Sequence, residues 1–276
     1  MIPAAFDYVR AESVTEALGL LAEHGDDAKL LAGGHSLLPL MKLRLATPAV
    51  LVDIGRLSSL SYVRDGGDHL AIGPLTTHHA LANDPLITGE LPVLAHVAGQ
   101  IGDPQVRHRG TIGGSIAHGD PASDLPALVL ALGGTFVLTG ADGTREVDAS
   151  AFHVGFLETV LGGDEMLSEI RLPKMGEGGW GFEKLTKRAQ DWAIVGAVAV
   201  RLDGNGSVGV GLINVSSVPV RATSVEASVA AGASAAEASL QADSELDVVG
   251  DVNATAEFRR HLSRVLVQRA LERALA

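Results

Sequence analysis

The order of apolar runs and turn residues predicts a mixed α+β fold. Residues 1–49 contain an amphipathic helix and a short apolar strand, which indicates a small α/β unit. Residues 62–64 and 70–72 are two short strands around a Gly–Gly turn, a pattern typical of a hairpin. Residues 181–216 contain three further strands in succession, which predicts a three-stranded antiparallel sheet. No internal repeat of fixed period accompanies these units.

Both ends of the N-terminal helix are marked in the sequence. Ser13 and Glu16 have the spacing of a capping box. Gly25 is placed to end the helix in the left-handed conformation. Short apolar strands are then expected at residues 29–32 and 50–54.

A first glycine-rich segment follows the strand at 29–32. Residues 29–39 read KLLAGGHSLLP, which is an apolar run, a Gly–Gly pair, two polar residues and the start of another apolar run. This order predicts a strand, a turn of the phosphate-binding type and a helix start. The segment lacks both the G-x-G-x-x-G of a Rossmann fingerprint and the G-K-[ST] of a Walker A loop.

A second glycine-rich segment covers residues 109–126, RGTIGGSIAHGDPASDLP. Glycine lets a ligand approach the backbone closely, and consecutive N–H groups can bind an anion. Ser123 is expected to cap a helix over residues 124–132. Alone, this segment is better explained by an ordinary turn than by a ligand site. Two such segments far apart in the chain predict one large ligand held from two sides, and a dinucleotide fits better than a single phosphate.

Two clusters near the second segment have ambiguous roles. His78 and His79 are adjacent and lack the i, i+4 spacing of a helical metal pair, which favours a structural or solvated role. Arg107, His108 and Arg109 form a basic cluster. Three roles remain open for this cluster: support for a pyrophosphate, docking of a partner, and plain solvation.

The remaining elements divide the chain into two domains. A polar break at residues 174–179 predicts a boundary between domain 1–175, with subdomains of about 1–54 and 55–175, and domain 176–276. The other elements expected before the break are a helix at 91–101 and strands at 135–139, 145–147 and 165–172. The elements expected after it are strands at 181–187, 193–202 and 207–216, a turn at 203–206, and helices at 223–231, 235–242 and 254–275.

The last helix is expected to be amphipathic. Its apolar face is predicted to contain Phe258, Leu262, Val265 and Leu266. Its five arginines are expected to lie mostly on a solvated or interface face.

Composition excludes several classes of function. The net charge of −12 disfavours nucleic acid as a partner. The absence of cysteine excludes disulfides, thiolate catalysis and cysteine-ligated clusters within this chain. No signal-peptide pattern or apolar run long enough for a membrane span is found, so a cytoplasmic protein is the simplest interpretation. No G-x-S-x-G elbow or paired-carboxylate motif is present, which favours a chain whose cofactor carries the chemistry.

The two glycine-rich segments together carry a family resemblance. AGGHSLLP at 32–39 and TIGGSIAHGDPASDLPA at 111–127 closely resemble the FAD-binding medium subunit of the molybdenum hydroxylases, the carbon monoxide and xanthine dehydrogenase relatives. The resemblance extends to IGDPQVRHRG, FEKLTKRAQDWAIVG and FRRHLSRVLVQRAL, and so covers nearly the whole chain. It implies the FAD-binding fold of the p-cresol methylhydroxylase (vanillyl-alcohol oxidase) type, with two α+β subdomains and a C-terminal α+β domain.

The resemblance also implies a set of FAD-binding residues, and no residue of this chain is assigned to catalysis or metal binding. Trp192 lies in a region from which relatives place a side chain near the isoalloxazine. The implied binding residues are Ala32, Gly33, Gly34, His35, Ser36, Ile101, Thr111, Ile112, Gly113, Gly114, Ser115, Asp124, Leu167 and Lys184.

The implied role is electron transfer. In this family, FAD takes electrons from [2Fe-2S] clusters of a small subunit, after a molybdopterin-containing large subunit has oxidised the substrate. FAD then passes them to an external acceptor, a quinone or NAD, within a dimer of heterotrimers. Two alternatives remain: a self-contained small flavoprotein oxidoreductase, and a non-catalytic assembly subunit that has lost FAD.

Overall fold

The computed structural model describes residues 2–202, 206–244 and 246–276. Its first unit is a three-stranded parallel sheet in the order β1-β3-β2 with helices around it. Its elements are β1 (Asp7–Arg10), α1 (Val14–His24), β2 (Ala28–Leu31), α2 (Leu37–Leu43) and β3 (Val50–Asp53). The predicted helix and both strands are therefore confirmed, with small shifts at their ends.

The capping box of α1 is only half formed. The Ser13 hydroxyl accepts a hydrogen bond from the Glu16 N–H at 3.1 Å, as a capping residue should. The Glu16 carboxylate accepts from the N–H of Glu12 at 2.7 Å instead of that of Ser13. Ala17 and Leu21 are buried on the inner face of the helix.

The second unit is a five-stranded antiparallel sheet in the order β4-β5-β10-β6-β7, with helices packed beside it. The predicted hairpin is confirmed as β4 and β5. The elements are β4 (Val63–Asp65), β5 (His69–Ile72), α3 (His78–Asn83), α4 (Pro85–Glu90), α5 (Pro92–Gly99), α6 (Pro104–Arg109), α7 (Ile112–His118), α8 (Asp124–Leu132), β6 (Thr135–Gly140), β7 (Gly143–Asp148), α9 (Ala149–Phe152), β8 (His153–Gly155), β9 (Glu158–Thr159) and β10 (Met166–Pro173).

Helix α8 is the most deeply buried helix near the site. It begins and ends as the sequence predicts, and all nine of its residues are buried. It contacts α5, α7 and β10 of the second unit and three strands of the third. Ser123 occupies the N-cap position, but its side chain makes no capping hydrogen bond.

The third unit corrects the predicted sheet, which has four strands instead of three. The additional strand consists of two residues and pairs with β13 through Leu212↔Val220 and Gly211↔Arg221. Two residues are too few to produce a period-2 pattern, so the sequence gives no signal for it. The elements are β11 (Trp180–Thr186), β12 (Ala193–Arg201), β13 (Val208–Ile213), β14 (Val220–Arg221), α10 (Thr223–Ala230), α11 (Ala235–Ser239) and α12 (Ala256–Ala274). The turn predicted at 203–206 lies mostly outside the described residues.

The face of α12 differs from the prediction at two positions. Leu262 and Leu266 are buried as expected, but Phe258 is 44% exposed. Arg259 is instead 2% exposed, so the arginines of this helix do not all lie on a solvated face. Among the described residues, no helix has both the length and the apolar character required to cross a membrane.

Candidate functional site

The three units meet at a cleft of about 860 Å³. Its walls are the end of β2, both glycine-rich segments, the start of α8, and strands β10 and β11. Thirteen of the fourteen predicted binding residues line it: Ala32, Gly33, Gly34, His35, Ser36, Ile101, Thr111, Gly113, Gly114, Ser115, Asp124, Leu167 and Lys184. Ile112 does not line the cleft, because its side chain is fully buried in the hydrophobic core.

The first glycine-rich segment presents a row of free backbone donors. Within the described residues, the N–H groups of residues 33–37 donate no hydrogen bond, and all five residues line the cleft. Gly34 has a φ of +77°, which turns the chain from β2 into α2. Consecutive free N–H groups in a concave wall bind anions. This segment can therefore hold a phosphate group.

The second glycine-rich segment is a helix start, whereas the sequence suggested an open loop. The Thr111 hydroxyl caps α7 by accepting from the Gly114 N–H at 3.1 Å. The N–H of Gly113 donates to the Pro74 carbonyl at 2.9 Å, and that of Ile112 to the Thr76 carbonyl at 3.0 Å. These donors are used within the chain. What remains available to a ligand is mainly the exposed surface of the segment and the Ser115 hydroxyl.

Some of the paired glycines are required by the packing of the chain itself. A Cβ atom on Gly33 would overlap the carbonyl oxygen of Arg109, because the two segments touch there. A Cβ atom on Gly113 would overlap Pro74. A Cβ atom on Gly114 would meet only the Thr111 hydroxyl, at 2.9 Å. Gly114 is therefore the member of the second pair whose exposed surface is free to face a ligand.

Asp124 and Lys184 form a buried ion pair in the wall of the cleft. The Lys184 Nζ donates to Asp124 Oδ2 at 2.7 Å, and the two side chains are 11% and 4% exposed. Burial raises the pKa of Asp124, and the neighbouring Lys184 opposes this shift. The other oxygen, Asp124 Oδ1, is buried without a partner among the described residues. A ligand donor in the cleft would satisfy it.

His78 lines the cleft although the sequence did not place it among the binding residues. It is 5% exposed, and its N–H donates to the Gly110 carbonyl at 3.0 Å. Burial, with smaller effects from His35 and Arg107, lowers the pKa of His78 to about 4. Its Nδ1 atom is buried without a partner among the described residues. The adjacent Thr–Thr–His–His run gave no signal for this role.

His79 and the basic cluster at residues 107–109 lie outside the cleft wall. The rings of His79 and His108 stack with centroids 3.9 Å apart. Arg107 donates to the carbonyls of Ile101 and Gly102 at 3.0 and 2.9 Å. None of residues 107–109 lines the cleft, which disfavours a direct role in holding a pyrophosphate. Within the described ranges, no group of three or more metal-ligating side chains is found.

Comparisons with known proteins give the family. A family model described as the FAD binding domain in molybdopterin dehydrogenase matches residues 4–175. A second, the CO dehydrogenase flavoprotein C-terminal domain, matches residues 180–274. The chain is 42% identical to the carbon monoxide dehydrogenase medium chain of Hydrogenophaga pseudoflava, covering 100% of this chain and 99% of that one. It is 39% identical to the 6-hydroxypseudooxynicotine dehydrogenase complex subunit alpha of Paenarthrobacter nicotinovorans, with coverage of 100% and 96%.

Solved structures give the same result. Carbon monoxide dehydrogenase from Hydrogenophaga pseudoflava, lacking the Mo-pyranopterin moiety of its cofactor, superposes with a TM-score of 0.94 at 41% identity, covering 100% of this chain and 99% of that chain. The class defined by the fold, the cleft and the family models is an FAD-binding oxidoreductase subunit. The chain belongs to the family of FAD-binding medium chains of carbon monoxide dehydrogenase-type molybdenum hydroxylases.

The residues present fit FAD, the cofactor of this family. The free N–H groups of residues 33–37 suit a pyrophosphate, and the unpartnered oxygen of Asp124 suits a donor on the cofactor. Apolar side chains such as Leu167 and Ile101 line other parts of the cleft. The cofactor and the cleft are therefore chemically complementary.

Proposed function

We propose that the pyrophosphate of FAD lies on the free N–H groups of residues 33–37. This single observation carries the proposal, because five consecutive backbone donors left free in one wall have no use within the chain. The whole predicted set from Ala32 to Lys184 then surrounds the cofactor, with Ile112 acting only as core support for α7. We further propose that residues 1–175 form the main FAD-binding domain and that 176–276 complete the cleft.

The flavin ring is placed at the end of the cleft formed by Asp124, Lys184 and Trp192. Lys184 holds the Asp124 carboxylate in place, so that Oδ1 accepts a hydrogen bond from the cofactor. Trp192 is 68% exposed at the mouth, where an aromatic face can cover a planar ring. His78, neutral at physiological pH, contributes a further polar atom to the wall.

The proposed role is electron transfer within a larger complex. FAD supplies a centre that accepts electrons singly and delivers them in pairs. The chain has no cysteine, so it cannot hold an iron–sulfur cluster through thiolates, and the [2Fe-2S] donor belongs to a small partner subunit. A molybdopterin-containing large subunit oxidises the substrate. The assembly proposed is a dimer of heterotrimers.

The carbon monoxide dehydrogenase type is favoured over other members of the family. Two relatives, from Hydrogenophaga pseudoflava and Afipia carboxidovorans, are both carbon monoxide dehydrogenase medium chains, at 42% and 38% identity. Medium chains of enzymes named for quite different substrates are 39% and 35% identical to this chain. The choice of substrate is therefore assigned to the large subunit. The function of this chain is the same in each case.

The cofactor assignment is tested by the absorption spectrum of the purified chain and by heat release of its chromophore. We expect flavin bands and about one FAD per chain. Titration of the apo-chain with riboflavin should give an affinity at least about 100-fold lower than with FAD, because riboflavin has no phosphates for residues 33–37. Equal affinities would contradict the phosphate site.

The electron-transfer role is tested separately by purifying the complex through a tag on this chain. Co-purification of a molybdenum-containing and an iron–sulfur-containing subunit is expected, together with reduction of FAD when substrate is added. A chain that binds FAD but oxidises its own substrate without partners would contradict the role.

A further inference from the structure

The part of the cleft wall on which the pyrophosphate is placed lacks a fixed positive charge. Among the described residues that line the cleft, the only lysines are Lys29 and Lys184, and there is no arginine. Lys184 is already paired with Asp124. Lys29 lies near the start of β2, roughly 13 Å along the chain from Gly33. No lysine or arginine of the cleft wall therefore adjoins the free N–H groups of residues 33–37.

The carboxylates of the wall make the binding of an anion harder. Five acidic side chains line the same cleft: Asp26, Asp124, Glu158, Glu165 and Asp191. Their charge, and the net charge of −12 of the whole chain, oppose the entry of an anion. Backbone N–H groups carry only partial charges, so they offset the charge of a pyrophosphate incompletely. A further positive charge beside residues 33–37 would strengthen the binding of FAD.

His35 is the ionisable side chain in the middle of the free N–H row. It is exposed and lines the cleft. No described residue forms a hydrogen bond or an ion pair with its imidazole. Histidine is the side chain that ordinarily changes its charge between pH 5 and 8, and a nearby anion favours its charged form. An imidazole at this position can therefore gain a positive charge when a pyrophosphate binds.

His78, in the adjoining wall, limits the uptake to a single proton. Its ring lies against Gly110, where a Cβ atom would be 2.7 Å from His78 Cδ2. Burial lowers the pKa of His78 to about 4, and the charges of His35 and Arg107 lower it further. A proton on His35 therefore disfavours a second proton on His78, and His78 stays neutral.

The other charged groups around His35 do not change when FAD binds. Arg107 does not line the cleft and donates to two backbone carbonyls. His118, the last residue of α7, lies roughly 10 Å along that helix from Thr111. The five carboxylates and the two lysines of the wall are present with or without the cofactor. The charge that FAD adds beside His35 is therefore that of its pyrophosphate.

We propose that FAD binding takes up a proton on the imidazole of His35, which then supplies the positive charge beside the pyrophosphate. The inference rests on the proposed function, because the charge to be balanced is that of the pyrophosphate on residues 33–37. The proton comes from water, and no covalent bond of FAD changes. The N–H groups set the geometry of the phosphate site, and His35 makes the affinity of the site depend on pH.

Proton uptake is measured by isothermal titration calorimetry. The protein is the complex purified through a tag on this chain, after its FAD has been removed. FAD is titrated at pH 7 in PIPES and in Tris, whose protonation enthalpies differ, and the difference between the two heats gives the number of protons taken up. We expect about half a proton per FAD at pH 7, and about five-fold tighter binding at pH 6 than at pH 8.

Two further ligands locate the charge that attracts the proton. ADP-ribose contains a pyrophosphate linked on both sides, as in FAD, but no flavin, and it should take up the same fraction of a proton. Riboflavin contains the flavin without phosphate and should take up none. Equal proton uptake with riboflavin would place the titrating group at the flavin ring and would overturn the inference.

Variants of His35 separate its charge from its size. His35→Gln keeps a polar side chain and should lose both the proton uptake and the pH dependence, with FAD affinity at pH 6 lowered about five-fold. His35→Lys carries a fixed charge, so it should bind FAD at pH 8 at least as tightly as the wild type and without pH dependence. His79→Gln is the matched control, because His79 neighbours His78 but is exposed and does not line the cleft.

Three results would overturn the inference. These are an FAD affinity of the wild type that does not change with pH, unchanged proton uptake in His35→Gln, and an equal loss of proton uptake in His79→Gln. A wild-type complex that binds no FAD would instead reject the proposed function. Tight FAD binding without proton uptake would leave the proposed function intact and reject only the role of His35.

Discussion

Two buried side chains of the cleft each carry a polar atom that is satisfied by no described residue. These atoms are Asp124 Oδ1 and His78 Nδ1. A buried polar atom without a partner costs about 1–3 kcal/mol of stability. A cofactor that supplies the missing hydrogen bonds removes this cost, so FAD binding and folding stability are linked at these residues.

Asp124→Asn should destabilise the FAD-free chain by about 3 kcal/mol, because it leaves the Lys184 ammonium buried without its counter-charge. Urea unfolding measures the change in the free energy of unfolding. Glu146→Gln is the control, since Glu146 forms an exposed ion pair with Arg171. This variant should lower the free energy of unfolding by less than about 1 kcal/mol. Equal losses in the two variants would show that burial of the Asp124 pair has no energetic consequence.

His78 should make the stability of the FAD-free chain fall in mild acid. Its folded-state pKa of about 4 lies below the ordinary histidine pKa of 6.5, so the unfolded state binds a proton first as pH falls. The contribution of His78 to the free energy of unfolding is fully present above pH 6.5 and is lost toward pH 4. The free energy of unfolding should therefore fall by about 2 kcal/mol between pH 7 and 5. Unfolding curves at the two pH values measure this.

The control for this pH dependence is a second histidine variant. His78→Asn should lose less stability between pH 7 and 5 than the wild type. His261→Asn, at an exposed position of α12, should keep the wild-type dependence. Identical pH profiles for all three proteins would contradict the assignment.

At the scale of elements, two short helices use their N-termini differently. The turn before α2 leaves its N–H groups free toward the cleft, whereas α7 uses those of Ile112, Gly113 and Gly114 within the chain. The loop between β5 and α3, which lies beside the start of α7, explains the difference. The carbonyls of Pro74 and Thr76 accept from α7, whereas no described residue accepts a hydrogen bond from the N–H groups of residues 33–37.

Alanine substitutions at Gly113 and Gly114 should distinguish the glycine required for packing from the glycine that faces the ligand. Gly113→Ala should destabilise the chain by about 1–3 kcal/mol with or without FAD, because its Cβ overlaps Pro74. Gly114→Ala should cost about 1 kcal/mol or less through the Thr111 cap, and should weaken FAD binding further. Thermal unfolding and FAD titration of both variants measure these effects. Wild-type FAD affinity in a folded Gly114→Ala protein would remove this residue from the binding surface.

At the scale of the whole molecule, the cleft exists only because the third unit is held against the second. Asn214, at the end of β13, donates from its N–H to the Pro121 carbonyl at 2.9 Å, just before Asp124. Arg259 of α12 donates to the carbonyls of Asn214 and Ile194. The C-terminal helix therefore holds the segment that leads into α8.

Arg259→Met should destabilise the chain by about 1–3 kcal/mol, because it leaves two buried carbonyl oxygens and the Oδ2 atom of Asp251 without their guanidinium donor. Hydrogen exchange should then increase near Trp192 and Pro121. Arg269→Met, at an exposed position of the same helix, is the control and should be nearly neutral. Unchanged exchange at the mouth of the cleft would show that α12 does not support the site.

The sequence alone predicted the elements with strong local signals. The capped helix α1, the fully apolar helix α8 and the three long C-terminal strands follow from period and capping residues. The two-residue strand β14 and the burial of Arg259 carry no local signal, since pairing with distant residues decides them. The exposure of Phe258 likewise depends on what packs against α12.

The sequence by itself determined the family and the residue types of the cleft, because paired glycine segments constrain the backbone locally. Only the tertiary structure decided which N–H groups remain free, which glycines serve packing, and that His78 enters the wall. It also decided that Asp124 and Lys184 pair. These are relations between residues distant in the chain, and they exist only once three separately formed units pack together.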